Sequence, residues 1–209
     1  VAQASGADRI ELCSGFNEGG ITPSIGLIKE VLKQISIPVM VMIRPRGGNF
    51  CYSDLEIKVM LQDIEEIKKL KPAGFVFGCL TKSRNLDLDN LKKLKAACKG
   101  YALTFHRAFD DCLNPLEAIE QIIELGFHNI LTSGQAETAI LGKFNILKYL
   151  EIAQDRIKIM AGAGILPSNI QELLFADAYH LTAKKCIYEL DENLIFNQPV
   201  FEASGSTIS

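Results

Sequence analysis

Short apolar runs alternate along the chain with longer amphipathic stretches. Seven runs read as strands: 9–13 (RIELC), 39–43 (VMVMI), 74–78 (GFVFG), 102–106 (ALTFH), 129–132 (NILT), 157–161 (IKIMA) and 178–182 (AYHLT). Several are almost continuous in apolar residues, as strands buried on both faces of a parallel sheet are. Helix-length segments lie between them. Residues 53–70 space Ile57, Met60, Leu61, Ile64 and Ile67 at helical intervals. Segment 114–125 opens on Asn114 and Pro115, an N-cap and a first helical position, and stops before Gly126. Segments 86–98 and 168–175 follow the same form, with Ser168 and Gln171 spaced as a capping box. Strand and helix in unbroken alternation specify a parallel sheet covered by helices. No Pro/Gly/Ser-rich linker interrupts it, so residues 1–209 read as one domain.

A TIM-type (β/α)8 barrel has eight strands, one more than this count. Residues 1–5 read as the tail of a helix running into Gly6. The first strand is therefore expected to be missing from this chain, and restoring it would close the ring. The alternative is an open doubly wound sheet, against which stands the lack of a Gly-rich turn after an early strand.

Side-chain alternation then sorts the strand faces. Ile10 and Leu12 oppose Arg9, Glu11 and Cys13; Val39, Val41 and Ile43 oppose Met40, Met42 and Arg44. Leu103 and Phe105 oppose Thr104 and His106; Tyr179 and Leu181 oppose His180 and Thr182. One face suits helices, and the other carries ionisable or soft groups, so the second should line the lumen. Arg9 falls deep in it and reads as structural. Glu11, Cys13, Arg44 and His106 fall at C-terminal strand ends, where barrel enzymes gather their chemistry.

Composition narrows the classes. The 209 residues are 48% hydrophobic and 22% charged, which excludes disorder as the main state. A net charge of −3 argues against a general nucleic-acid binder, and no apolar run approaches the roughly 18 residues that would suggest a membrane span. The six cysteines form no C-x-x-C pair and read as free thiols of a reducing compartment.

The loops after the strands carry the candidate chemistry. Arg44-Pro45-Arg46-Gly47-Gly48 is a credible anion grip, because guanidinium binds carboxylate or phosphate bidentately and glycine admits a close backbone approach. His106 with Asp110 four residues on can form an acid–base pair, a carboxylate orienting an imidazole, with Glu11 as a further catalytic carboxylate. Ser133, Gly162 and Gly164 add to a substrate-binding rim, with the small-residue turns at 132–134 and 161–164 offering backbone N–H groups to an anion. Tight βα turns also need glycine, so both readings of those turns stand. Cys13, Cys51, Cys79 and Cys112 map to the same rim, where converging thiols would suit Cu(I). Cys98 lies late in a helix, and Cys186 follows the last strand.

The segments GADRIELCSG (6–15), EGGITPSIG (18–26), IRPRGGNFCYSD (43–54), LTFHRAFDDCLNP (103–115), LTSGQ (131–135) and IMAGAGI (159–165) resemble the CutC family of copper homeostasis proteins over nearly the whole chain. The resemblance implies a cytoplasmic TIM-type barrel, commonly a homodimer, with copper as its metal and Cys13, Cys51 and Cys112 as the matching thiols. It also implies a polar mouth at Glu11, Arg44, Arg46, His106, Arg107, Asp110, Ser133 and His180, which adds Arg107 and His180 to the substrate-binding rim. Near His180 the family reads close to His-x-Ser-Ala-Arg, whereas this chain has His180-Leu181-Thr182-Ala183-Lys184, replacing a guanidinium fork by a point charge. The tail from 190 to 209 resembles the family only loosely. Three functions follow as expectations. The chain binds Cu(I) through rim thiols; or it is an enzyme for a small phosphorylated or carboxylated molecule; or it is a scaffold that works through its dimer surface.

Overall fold

The computed structural model describes residues 2–181 and, as backbone alone, the strands at 185–187 and 200–202. Seven parallel strands form one sheet in sequence order: β1 (Ile10–Leu12), β2 (Val39–Met42), β3 (Gly74–Phe77), β4 (Ala102–Phe105), β5 (Asn129–Thr132), β6 (Lys158–Gly162) and β7 (Ala178–His180). All seven runs expected from the sequence are present, each shifted by two residues at most. Five helices follow the first five strands: α1 (Ile25–Gln34), α2 (Asp54–Lys68), α3 (Leu88–Ala97), α4 (Pro115–Glu124) and α5 (Lys143–Ala153). A separate antiparallel pair joins β8 (Lys185–Ile187) to β9 (Val200–Glu202), which the strand-and-helix alternation did not suggest.

Curvature follows from one side chain. The Arg9 guanidinium, beside β1, reaches Asn129 Oδ1 on β5 at 3.5 Å and Met160 Sδ on β6 at 3.3 Å. In a flat sheet, four strand spacings of about 4.8 Å would hold β1 and β5 roughly 19 Å apart, far beyond an arginine's reach. The sheet is therefore curled into a trough close to a TIM-type barrel. It holds seven strands, and β1 and β7 are its two edges.

The parity reading is borne out. Val39, Val41, Ile43, Phe75, Phe77, Leu103 and Phe105 belong to the large core between sheet and helices, while Met40, Met42 and Val76 form a second cluster on the concave side. Edge-to-face rings knit the outer core, with Phe127 at 5.2 Å from Phe77 and 5.6 Å from Phe105. Each fully buried large side chain there contributes about 1.5–3 kcal/mol.

At the helix ends the local signals are met only in part. Pro115 opens α4 after Asn114, although the Asn114 side chain makes no capping bond. The capping box lies at α2, not at the place expected for it. Ser53 Oγ accepts from Glu56 N, and Glu56 accepts from Ser53 N at 2.7 Å. The segment 168–175 forms only a 3-10 turn, Ile170–Leu173, capped by no side chain. Its Asn169 side chain is spent on the preceding loop, accepting from Leu166 N and donating to Gly164 O. Ser53→Ala should cost about 1 kcal/mol by removing the box, measured by urea unfolding.

Candidate functional site

The concave face gathers its ionisable groups at the C-terminal strand ends. Glu11 of β1 and His180 of β7 face one another across the open seam, Oε2 to Nε2 at 3.6 Å. Burial alone would raise the Glu11 carboxyl, but His180, then the charges of His106 and Arg9, outweigh it and hold it below the ordinary range. His180 moves the opposite way. Burial would depress it, and Glu11 more than restores it, so the imidazolium is favoured.

His106 closes β4 and caps the 3-10 turn Arg107–Asp111. Its Nδ1 accepts from Ala108 N at 3.2 Å, which puts the proton of the neutral ring on Nε2. Burial, followed by the charge of Arg44, pushes this imidazole down to about 4, with Glu11 opposing. Gly78 makes room for it: a Cβ there would stand 2.8 Å from His106 Nδ1.

The expected His106–Asp110 pair does not form. Asp110 turns away to the loop after β5. One carboxylate oxygen accepts from Thr132 Oγ1, Ser133 N and Gln135 N; the other accepts from Ser133 Oγ at 3.0 Å and Arg107 Nε at 2.8 Å. The 132–134 turn was read as an anion cradle, and it is one, but the anion it holds is the protein's own Asp110. Arg107 and Ser133 also bond each other at 2.9 Å, so both are committed to the same knot.

The arginines after β2 are likewise spent internally. Arg44 is 5% exposed and donates through Nη1 to Glu18 O at 2.8 Å and Gly20 O at 3.0 Å, and through Nη2 to Gly48 O at 2.7 Å. Arg46 binds the carbonyls of Gly47, Asn49 and Cys51, the Asn49 side chain, and the Glu56 carboxylate. Both hydrogen-bond carbonyl oxygens of loop 45–51, and neither extends a bidentate fork to solvent. The glycine turn after β6 is no better suited to phosphate. Ala163 and Gly164 have positive φ, 78° and 68°, and the α-helix whose N-terminus the anion would need is replaced by the 3-10 turn. A Cβ at Gly162 would stand 2.6 Å from Leu131 Cδ1, so that glycine serves close packing.

The thiols divide. Cys13 lies on the concave side beside Met40 and Met42, and Cys51 is half-buried in the loop after β2. Cys112 lies in the outer core, its Sγ donating to Ala108 O at 3.7 Å, and burial, then Asp111 and Asp110, pushes it up to about 12. The three expected thiols therefore do not share one coordination sphere. Among the described residues, no three His, Cys, Asp or Glu side chains are gathered to hold a metal ion. Thr182, Ala183, Lys184 and, apart from the backbone of β9, the tail from 190, where the chain departs from the resemblance, lie outside the described residues, as does the side chain of Cys186.

Sequence reasoning missed two participants. Phe50 stacks 4.8 Å from the His106 ring and 4.8 Å from Arg44 Cζ, and a loop phenylalanine carries no periodicity that could reveal this. Asn129 accepts from Arg9 and donates to Thr104 Oγ1 at 3.2 Å; its parity on β5 was a usable signal.

Comparison with known proteins adds a family. The CutC family model matches residues 1–184. A CutC family protein of Histophilus somni is 48% identical over 187 residues, covering 88% of this chain and 77% of that protein. The human copper homeostasis protein cutC homolog is 46% identical, covering 88% of this chain and 68% of that one. The crystal structure of a CutC protein from Streptococcus agalactiae superposes with a TM-score of 0.79 at 38% identity, over 83% of this chain and 87% of that one.

Two measurements check the site as described. Asp110→Ala strands the Ser133 amide and deprives Arg107 of its carboxylate, and should destabilise the chain by about 1–3 kcal/mol in urea unfolding. The second concerns His106. An unfolded histidine titrates near pH 6.5, so between there and about pH 4 the unfolded chain takes a proton that the folded one refuses. Stability conferred by the neutral ring is thus present above pH 6.5 and lost as the pH falls through that window. His106→Gln should show a shallower decline in melting temperature between pH 6.5 and 4 than the native chain.

Proposed function

The chain belongs to the CutC family, and on that premise we propose that it serves copper homeostasis in the cytoplasm by binding Cu(I) as cargo at the mouth of its curled sheet. The observation that carries this reading is the placement of Cys13. Its thiol sits on the concave side, packed with the thioethers Met40 and Met42 in a cluster separate from the main core. Thiolate and thioether sulfur are the soft donors that favour Cu(I) over harder cations. Gly20 borders the thiol closely: a Cβ there would stand 3.4 Å from Cys13 Sγ.

Cys51, in the half-buried loop above, is the second candidate donor, whereas Cys112 is withdrawn into the outer core and does not fit. None of the five described cysteines is in a disulfide, which supports a reducing compartment. The names of the human and Streptococcus agalactiae proteins support the copper connection. The homodimer rests on family resemblance alone. The acid–base enzyme reading loses its support with the His106–Asp110 pair.

Anaerobic Cu(I) titration against a competing chelator tests the assignment. Cys13→Ser should weaken binding by about tenfold or more, which is 1.4 kcal/mol, while Cys112→Ser should leave it unchanged. Equal affinity in the native chain and Cys13→Ser would sink the site.

A further inference from the structure

Three buried side-chain polar atoms among the described residues lack a hydrogen-bond partner: Arg44 Nε, Tyr52 Oη and His106 Nε2. They are not scattered. The Arg44 guanidinium acts on the Tyr52 hydroxyl both by its charge and by a hydrogen-bonding approach of the two side chains, and on the His106 ring by its charge. Phe50 stands between Arg44 and His106, 4.8 Å from each. All three atoms can donate a hydrogen bond: a guanidinium N–H, a phenol O–H, and the N–H of an imidazole whose other nitrogen already accepts from Ala108. A buried donor left unmade costs about 1–3 kcal/mol, so three in one neighbourhood call for a common acceptor.

Charge points the same way. Arg44 is buried, yet its three partners are neutral carbonyl groups of Glu18, Gly20 and Gly48. Arg9, beneath it in the trough, likewise binds only Asn129 and Met160. Glu11 is engaged by His180, and Asp110 by Arg107 and the 132–135 turn. The buried Arg44 guanidinium therefore lacks a carboxylate partner, a costly state in a desolvated interior.

We propose that these three atoms, closed off from solvent beneath the loop 45–52 in this structure, form a binding site for a small oxyanion, a carboxylate or a phosphate, received by Arg44 Nε, Tyr52 Oη and His106 Nε2 once Phe50 moves aside. Arg44 here is not the exposed fork expected from its sequence. Its two terminal nitrogens hold the loops after β1 and β2, which fixes the remaining Nε–H in direction. Phe50 is the cover. Leu80 N anchors it by donating to Phe50 O at 2.8 Å, and the ligand enters as the ring is displaced from His106. The site does not depend on copper, since none of its donors is a thiol or thioether.

The test uses the full chain with a chelator present, at constant ionic strength and pH 7.5. Inorganic phosphate and malonate are titrated separately, and the melting temperature and the side-chain 15N resonance of His106 are followed. A ligand that binds the native state raises the melting temperature with the logarithm of its concentration once that exceeds Kd. Such a rise, with a saturable shift of the His106 Nε2 resonance, is expected for at least one anion. A response to phosphate alone assigns a phosphate ligand, to malonate alone a carboxylate, and to both an unselective oxyanion site. Tyr52→Phe removes one donor and keeps the ring that Arg46 covers; it should weaken binding about ten- to a hundredfold, the usual worth of a hydrogen bond to a charged group. Absence of a saturable response to either anion, or undiminished affinity in Tyr52→Phe, overturns the proposal. Because the resonance is read in the unmodified chain, the outcome does not depend on a variant folding.

Discussion

A sheet curled tightly enough for an arginine on its first edge to touch the fifth and sixth strands brings inward-pointing groups of distant strands within reach of one another. The more deeply a polar group on the concave face is buried, the more it must find its partner on another strand or loop, because an unpaired buried donor or charge is costly. Arg9 meets this demand across the trough through Asn129 and Met160, and Asn129 passes it on to Thr104. Glu11 and His180 meet it across the seam. The mouth is built of these cross-strand settlements, and its chemistry is what they leave over.

The same demand explains why groups that look catalytic are structural here. Asp110 receives the amides and hydroxyls of the next loop, a carboxylate filling a nest that would otherwise attract a free anion. Arg44 and Arg46 turn their terminal nitrogens onto carbonyl oxygens of loops that glycine and turn residues keep irregular and therefore rich in unmet acceptors. This makes the loops after β1 and β2 rigid where they border Cys13. Packing and loop order are in this way linked through one guanidinium.

His106 shows what the arrangement leaves unsettled. Its ring is fixed by Ala108, Gly78 and Phe50 and is held neutral by burial and by Arg44. The outward nitrogen nonetheless has no acceptor. A protein that commits nearly every other polar group at this mouth, yet leaves three donors bare around one arginine, has a local deficit of negative charge.

The amino-acid sequence by itself determined the strands, the order in which they pair and the face each residue presents. These follow from alternation and apolar periodicity, which are local and repeat with every element. It also located Glu11, Cys13, Arg44 and His106 at the correct end of the sheet, because strand ends are legible from the same pattern. It misplaced a helix at 168–175, since Asn169 there serves the preceding loop, and it paired His106 with Asp110 on spacing alone. The tertiary structure alone decided which partner each polar group takes, that Cys112 faces the outer core, and that Phe50 covers His106. Those outcomes depend on distances between loops far apart in the chain, where a turn of a few ångströms sends a carboxylate to one strand or its neighbour, and no periodicity along the sequence encodes that choice.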